Sequence, residues 1–212
     1  GGAALNPEIG NFFMALGINL LQGYGQTEAS PLISANRPGK IKIETVGPVV
    51  AGVDLKIATD GEILVRGDLL MKGYWRDDAA TSAVIQDGWL HTGDLGEVDA
   101  DGFITITGRK KDIIVNSGGD NIAPGRVEAL LTIEPEIEQA MVDGDKRPWL
   151  AAIIVPSEEV RSLASSPDAL ATMVGEAVER ANSRLSQLER VRRFIIADEA
   201  FSTENGQMTA TL

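Results

Sequence analysis

The stretch TGRKKDIIVNSGGDNIAPGRVE, residues 107–128, separates two parts of the chain that follow different patterns. From about residue 46 up to this stretch, short apolar–polar alternations are interrupted by two hairpin signals, Asp60-Gly61 and Asp101-Gly102. After it, helical and strand patterns are mixed. We therefore expect an α+β, mixed fold: a first part that includes a small, twisted, barrel-like β unit, then a small mixed α+β domain.

The basic cluster at the start of this stretch is where we place the domain boundary. Gly108 ends the β pattern, and Lys111 closes the run of basic residues. The predicted domains are residues 1–108 and residues 109–212. Both carry a net negative charge, so the pattern separates them and the charge does not.

The remaining elements are predicted from periodicity and from turn residues. Residues 1–22 favour a helix with Asn6 as cap and Pro7 in its first turn, leading through INLLQ (residues 18–22) into a strand and a tight turn at Gly23 and Gly25. The second half favours four strands and two helices. The strands are DIIVNS (112–117), IEQAMVDG (137–144), WLAAIIVP (149–156) and VRRFIIAD (191–198), and the helices are Pro124–Leu131 and Pro167–Leu188.

The composition excludes several classes of function. The formal net charge is −12, so nucleic acid is not an expected partner, and an anionic ligand must be bound by local features against the overall field. The chain has no cysteine and one histidine, which excludes disulfides, thiolate catalysis and histidine metal clusters. No apolar run reaches the roughly 20 residues of a membrane span. We expect a cytoplasmic protein, with peripheral membrane association and the oligomeric state left open.

The stretch GYGQTE, residues 23–28, is the first candidate site. Its two glycines let the backbone approach a flat ligand on which Tyr24 could stack. Thr27 offers a hydroxyl donor, and Glu28 offers the hard oxygen ligand that Mg²⁺ prefers. The alternative is a tight turn with a surface carboxylate.

The stretch GWLHTGDLG, residues 88–96, is the second candidate site. The carboxylate of Asp94 offers two acceptor oxygens with the spacing of a vicinal diol, the use that dinucleotide sites make of an acid on ribose. The alternative is an aspartate that caps a turn. A single histidine beside a tryptophan, His91, is assigned to packing or to a structural hydrogen bond.

The opening stretch itself is the third candidate site. Arg109 supplies a rigid donor fork for ribose or phosphate oxygens, while Lys110 and Lys111 are also compatible with a solvated linker. The backbone of Ser117-Gly118-Gly119 is left uncovered, so a narrow ligand could pass against it. The alternative is a loop that leads into the following helix.

Together, in this order, the three stretches resemble the adenylate-forming superfamily of acyl-CoA synthetases, peptide-synthetase adenylation domains and luciferases. The stretch MKGYW, residues 71–75, also fits that family. Among its branches, RPWLAAIIVP (147–156) and ENGQMTATL (204–212) are most similar to long-chain fatty-acid CoA ligases.

The resemblance implies a role for each candidate residue. Thr27 is expected to contact the α-phosphate of ATP, and Glu28 to hold Mg²⁺. Asp94 is expected to bind the ribose hydroxyls with help from Arg109, and Lys111 to be the hinge of a mobile C-terminal domain. Two further sets are implied: an adenine pocket of Gly1, Gly2, Ala3, Gly23, Tyr24 and Gly25, and a CoA channel bordered by Ser117, Gly118 and Gly119.

The implied reaction has two steps with fatty acid, ATP and CoA as substrates: an acyl adenylate forms with release of pyrophosphate, and the CoA thiol then displaces AMP. The family's upstream phosphate loop is absent from this sequence, and its adenylation lysine is expected directly after Leu212. We therefore hypothesise a C-terminal fragment that is inactive by itself in the first step. Two alternatives stay open: an enzyme that loads a carrier protein, and a non-catalytic binding module that keeps the fold.

Overall fold

The computed structural model describes residue 5 and residues 7–208. They form two compact units, the first ending at Lys111 and the second beginning at Asp112. This division falls at the C-terminal limit of the basic cluster in which the boundary was predicted. The predicted helix cap Asn6 and the predicted adenine-pocket residues Gly1, Gly2 and Ala3 lie outside the described residues.

The first unit begins with a helix and a short strand pair. Helix α1 spans Pro7–Ala15, and strand β1 (Gly23–Tyr24) pairs antiparallel with β2 (Ser34–Ala35). The strand predicted to end in the tight turn is present but short, since it comprises Gly23 and Tyr24, and residues 18–22 are not part of it. A 3₁₀ turn, Thr27–Ala29, follows β1.

The main sheet of the first unit is antiparallel and is built around one long strand. Strand β6 pairs with β4 along one edge and with β5 and β7 along the other, while β3 pairs with β4. The sheet strands are β3 (Val53–Ile57), β4 (Glu62–Gly67), β5 (Ile85–Gln86), β6 (Trp89–Val98) and β7 (Ile104–Arg109).

Both predicted hairpins of this sheet are confirmed. The β3–β4 turn contains Gly61 with φ +85°, and the β6–β7 turn contains Gly102 with φ +82°. Glycine tolerates this left-handed backbone without steric cost. The inner face of the sheet buries Ile63, Val65 and Leu90 completely or nearly so.

A helix that the sequence analysis did not predict interrupts this β-rich part. Helix α2 spans Asp78–Val84, and its N-cap residue Asp77 accepts a hydrogen bond of 2.8 Å from the amide of Ala80. The capping carboxylate satisfies an amide that the first helical turn leaves without an intrahelical partner. The predicted β unit therefore contains a helix that its alternating pattern did not indicate.

The second unit packs helices on a small sheet. Strand β11 pairs antiparallel with β10 and parallel with β12, and the core includes Leu131, Ile154 and Val174, each with no exposed surface. The elements are β8 (Ile114–Val115), β9 (Asn121–Ile122), α3 (Pro124–Leu131), β10 (Ile137–Asp143), β11 (Leu150–Pro156), α4 (Glu158–Leu163), α5 (Pro167–Asn182) and β12 (Val191–Ile196).

Helix α5 is shorter than predicted, since it ends at Asn182 and not at Leu188. The side chain of Asn182 accepts a hydrogen bond from the amide of Val191 and donates one to its carbonyl, both at 2.9 Å. This buried amide pairs with the first residue of β12, and the chain turns there instead of continuing the helix. Helix α4 was not predicted.

The described residues confirm the mixed α+β fold class. The sheet of the first unit and the three-stranded sheet of the second are separate, and each has its own buried apolar cluster. Among the described helices, none is both long enough and apolar enough to cross a bilayer.

Candidate functional site

The segment from Gly23 to Gly25 passes so close to a neighbouring backbone that only glycine fits at position 25. A Cβ atom on Gly25 would lie 1.6 Å from the carbonyl oxygen of Pro31, and one on Gly23 would lie 3.1 Å from that of Ser34. The close backbone approach at Gly25 excludes any side chain there. The predicted tight turn is therefore built on a fixed contact between this segment and the chain leading into β2.

Between these glycines, Tyr24 reaches across the unit to the second candidate site. Its phenol donates a hydrogen bond of 2.6 Å to Oδ2 of Asp94, 70 positions later in the chain. Burial of the ring, and then this hydrogen bond, raise the pKa of Tyr24 above its ordinary value, so the phenol is a donor at neutral pH. The stacking of Tyr24 on a base stays a prediction.

Asp94 and Arg109 face each other directly across strands β6 and β7. The Nε atom of Arg109 lies 3.2 Å from Oδ1 of Asp94. Asp94 is 6% exposed, whereas the side chain of Arg109 is 58% exposed. Because each carboxylate oxygen can accept more than one hydrogen bond, Asp94 can hold its protein donors and still accept from a pair of ligand hydroxyls.

Glu28 lies in the 3₁₀ turn after β1, next to the exposed Thr27. Its Oε1 accepts a hydrogen bond of 2.8 Å from the phenol of Tyr74, and its carbonyl accepts one of 2.8 Å from the amide of Met71. Within the described part of the chain, Oε2 has no hydrogen-bond donor. One oxygen is thus fixed in place, and the other is available to a ligand.

Tyr74 belongs to the stretch MKGYW, which the sequence analysis associated with the family without giving its residues a role. The hydrogen bond to Glu28, and then partial burial, raise the pKa of Tyr74. The next residue, Trp75, is 85% exposed. The stretch therefore supplies the donor that orients the candidate metal ligand, with an exposed indole beside it.

A third group of charges around Glu62 was missed by the sequence analysis. Glu62 is 4% exposed, and its carboxylate accepts from the amide of Gly93 at 2.9 Å and from Nζ of Lys110 at 3.0 Å. It also lies 3.1 Å from Nδ1 of His91. The prediction that His91 makes a structural contact is confirmed.

The pKa of Glu62 reflects this competition between burial and hydrogen bonding. Burial by itself would raise its pKa, but the contacts with His91, Lys110 and Gly93 outweigh burial and lower it. The pKa of Lys110 is raised by its hydrogen bonds to Asp60 and Glu62. The signal in the sequence was an acid directly before the apolar run ILV (residues 63–65) of the strand EILVRG.

The remaining predicted residues lie at the end of the first unit and in the second. Lys111 is exposed and is the last residue of the first unit. Ser117, Gly118 and Gly119 form an exposed turn, in which Oδ1 of Asn116 accepts a hydrogen bond of 2.8 Å from the amide of Gly118. The hinge role and the CoA role of these residues stay predictions.

The structure therefore brings Tyr24 and Arg109 into direct contact with the carboxylate of Asp94. It places Thr27 and Glu28 in one turn beside Tyr74. A buried acid held between a phenol donor and a guanidinium is suited to binding vicinal hydroxyls. A carboxylate with one free oxygen is suited to a hard divalent cation.

Comparison with known proteins identifies two parts of one family in this chain. The AMP-binding enzyme family matches residues 1–75, and the AMP-binding enzyme C-terminal domain matches residues 111–210. The long-chain-fatty-acid–CoA ligase FadD15 of Mycobacterium bovis is 42% identical over all of this chain. The chain spans 38% of the length of that relative.

Solved structures of adenylate-forming enzymes have the same fold. O-succinylbenzoate CoA synthetase (MenE) from Bacillus subtilis in complex with AMP matches with a TM-score of 0.78 and 30% identity, over 94% of this chain and 41% of that one. Its complex with ATP and magnesium ion matches with a TM-score of 0.73 and 28% identity, over 93% and 42%.

Part of a carboxylic acid reductase is also similar. The A-PCP didomain of carboxylic acid reductase from Segniliparus rugosus, in complex with AMP, matches with a TM-score of 0.81 and 26% identity, over 97% of this chain and 30% of that one. The two family matches, the relatives and the shared fold agree with one another. The chain belongs to the AMP-binding enzyme family and is similar along its whole length to its fatty-acid CoA ligases.

Proposed function

We propose that the whole protein is an AMP-forming long-chain fatty-acid CoA ligase. The observation that carries the proposal is the Asp94 site, where a nearly buried carboxylate is held by the Tyr24 phenol and the exposed Arg109 guanidinium and keeps acceptor capacity for the ribose hydroxyls of ATP. The choice of a fatty acid as substrate is supported by the 42% identity to FadD15.

In the first proposed step, an oxygen of the fatty carboxylate attacks the α-phosphorus of ATP. The bond to the bridging oxygen breaks, and pyrophosphate leaves with the electron pair. Asp94 holds the ribose in place, and Thr27 donates a hydrogen bond to the α-phosphate. Negative charge that develops near phosphorus is stabilised by donors and cations fixed in advance.

Glu28 is the proposed protein ligand of the magnesium ion that this step needs. Mg²⁺ is commonly held by one or two carboxylates together with substrate phosphates. No cluster of three potential ligands occurs among the described residues, which agrees with such a sparse protein contribution. When bound, Mg²⁺ neutralises charge on the phosphate oxygens. Tyr74 keeps the Glu28 carboxylate oriented.

In the second proposed step, the CoA thiolate attacks the acyl carbonyl carbon of the adenylate, and AMP leaves. Ser117, Gly118 and Gly119 offer exposed backbone to the narrow pantetheine arm. Lys111 is the proposed hinge between the two half-reactions. A second acceptor, the pantetheine arm of a carrier protein, is supported by the similarity to the carrier-linked reductase domain.

The test is pyrophosphate release from ATP with palmitate, followed by thioester analysis, in the full-length protein and in this chain alone. We expect release only in the full-length protein, with free CoA as acceptor. Thioester formation only on a carrier protein would replace the ligase with the carrier-loading enzyme. An absence of release with varied fatty acids would favour a non-catalytic binding module.

A further inference from the structure

Three hydrogen bonds form a closed ring around Gly93. The carboxylate of Glu62 accepts from the Gly93 amide at 2.9 Å, and the Gly93 carbonyl accepts from the Lys110 amide at 2.8 Å. Nζ of Lys110 returns to Oε2 of Glu62 at 3.0 Å. The ring joins the start of β4, the middle of β6 and the residue that follows β7.

Two residues of this ring are sequence neighbours of Asp94 and Arg109, the proposed nucleotide-binding pair. Gly93 directly precedes Asp94, and Lys110 directly follows Arg109. Asp94 and Arg109 are register partners across β6 and β7. Any movement of the ring residues therefore also moves the backbone that carries the side chains of Asp94 and Arg109.

The ring supplements the sheet pairing at a point close to where that pairing becomes irregular. Strand pairing shifts register between Leu95 and Gly96, and Gly93 has φ +73°. A Cβ atom on Gly93 would meet nothing within 4 Å, so no side chain covers that side of the residue. The hydrogen bonds of the Gly93 amide and carbonyl both belong to the ring, while the amide of the next residue, Asp94, donates to Oγ1 of Thr92 at 3.1 Å.

We propose that Glu62 is a positioning residue for the nucleotide site, which sets the placement of Asp94 and Arg109 through Gly93 and Lys110. It does not contact the nucleotide itself. This inference rests on the proposed role of Asp94 in binding ribose. Burial of Glu62 makes its charge effective, because a hydrogen bond to a charged acceptor is strengthened where water is excluded.

The experiment measures AMP binding by calorimetry in the full-length protein, since this readout does not depend on the fatty acid or on catalysis. Glu62→Gln keeps the shape of the side chain and one acceptor oxygen, but removes the charge that holds Lys110. We expect AMP to bind about tenfold more weakly, the scale of one hydrogen bond to a charged group. The KM for ATP should rise by a similar factor, with kcat changed less.

The matched control is Asp54→Asn, which removes a carboxylate from an exposed ion pair with Arg66 on β3 and β4 of the same sheet. It should leave AMP binding unchanged. Lys110→Gln is the second variant, because its side chain is half exposed and its loss should be tolerated by the fold. It should weaken AMP binding in the same direction as Glu62→Gln.

Each outcome of these measurements supports or overturns the positioning role of Glu62. Wild-type affinity for AMP in Glu62→Gln overturns the inference even if the protein is a competent ligase. If Glu62→Gln unfolds, Lys110→Gln decides: weaker AMP binding at an unchanged Tm supports the inference, and behaviour like Asp54→Asn overturns it. Wild-type protein that binds AMP but releases no pyrophosphate refutes the ligase and leaves the inference standing. Wild-type protein that binds no AMP refutes the nucleotide role and the inference together.

Discussion

The phenol of Tyr74 donates a hydrogen bond of 2.8 Å to Oε1 of Glu28, although the two residues lie 46 positions apart in the sequence. The bond leaves Oε2 of Glu28 without a donor among the residues that the structure describes. A carboxylate held in this way presents one oriented oxygen to a cation. The arrangement makes Tyr74 a test of the proposed magnesium site.

We expect Tyr74→Phe to raise the Mg²⁺ concentration needed for half-maximal pyrophosphate release by about three- to tenfold, because the lost hydrogen bond orients a charged ligand. Saturating Mg²⁺ should restore most of the rate. The control is Trp75→Phe, which changes the neighbouring exposed ring. An unchanged Mg²⁺ dependence in Tyr74→Phe would remove Tyr74 from the metal site.

Asp94→Asn should weaken ATP binding by about tenfold or more, because the charged acceptor of the proposed ribose contact becomes a neutral amide. The amide can also turn its NH₂ group toward Arg109, which would push the guanidinium away. The measurement is the KM for ATP at saturating fatty acid, and the KM for fatty acid serves as the internal control. Equal changes in the two KM values would indicate a general structural defect in place of a ribose contact.

Lys111→Pro tests the proposed hinge. Proline fixes φ and removes the amide donor, so a rotation at this residue becomes restricted. In the full-length protein, we expect thioester formation to fall about tenfold or more while adenylate formation falls less. Lys111→Ala is the control, since it removes the charge and leaves the backbone free. Equal losses in both half-reactions would contradict a hinge role.

Glu128→Gln should stabilise the second unit at neutral and alkaline pH. Burial, with a further contribution from the charge of Asp112, raises the pKa of Glu128 above its ordinary value of 4.5, although the amide of Val142 donates to its carboxylate. The ionised form is therefore disfavoured in the folded state. This cost grows as the pH rises above 4.5 and is fully present above the folded pKa. Below pH 4.5 it is absent. Glutamine keeps an acceptor for Val142 without the charge.

Thermal unfolding at several pH values checks this prediction. The Tm gain of Glu128→Gln over wild type should be largest above the folded pKa and should shrink as the pH falls toward 4.5. The control is Glu138→Gln on β10, which makes the same charge change at an exposed position. A gain that does not vary with pH would rule out the ionisation of Glu128 as its source.

The sequence predicted those parts of the fold whose signals are local. Asp60-Gly61 and Asp101-Gly102 mark their hairpins because each short connection, residues 58–61 and residues 99–103, needs a left-handed backbone conformation that glycine supplies. Pro124 marks the start of α3 because the fixed φ of proline suits the first position of a helix. Helix α5 shows the limit: its end depends on the Asn182 side chain pairing with Val191, a contact between residues that no local pattern connects.

For the candidate site too, the sequence indicated individual residues but not the contacts between distant ones. Glu28, Asp94 and Arg109 were predicted as site residues from their types, their neighbours and the family resemblance, and their roles stay predictions. The structure brings Asp94 and Arg109 into contact. The bond from Tyr24 to Asp94, and the ring through Glu62, were not found, because they join residues 70 and 31 positions apart. Such pairings depend on strand register, which is set by the whole sheet.

Trp75 also provides an optical reporter. It is 85% exposed and directly follows Tyr74. All three tryptophans lie beside cations: Trp75 beside Arg76, Trp89 beside Lys56 and Arg66, and Trp149 beside Arg193. An indole that follows the tyrosine on Glu28 should change its fluorescence when a cation binds there. Occupancy of the proposed metal site could then be followed by intrinsic emission, with Trp75→Phe as the silent reference, without any turnover.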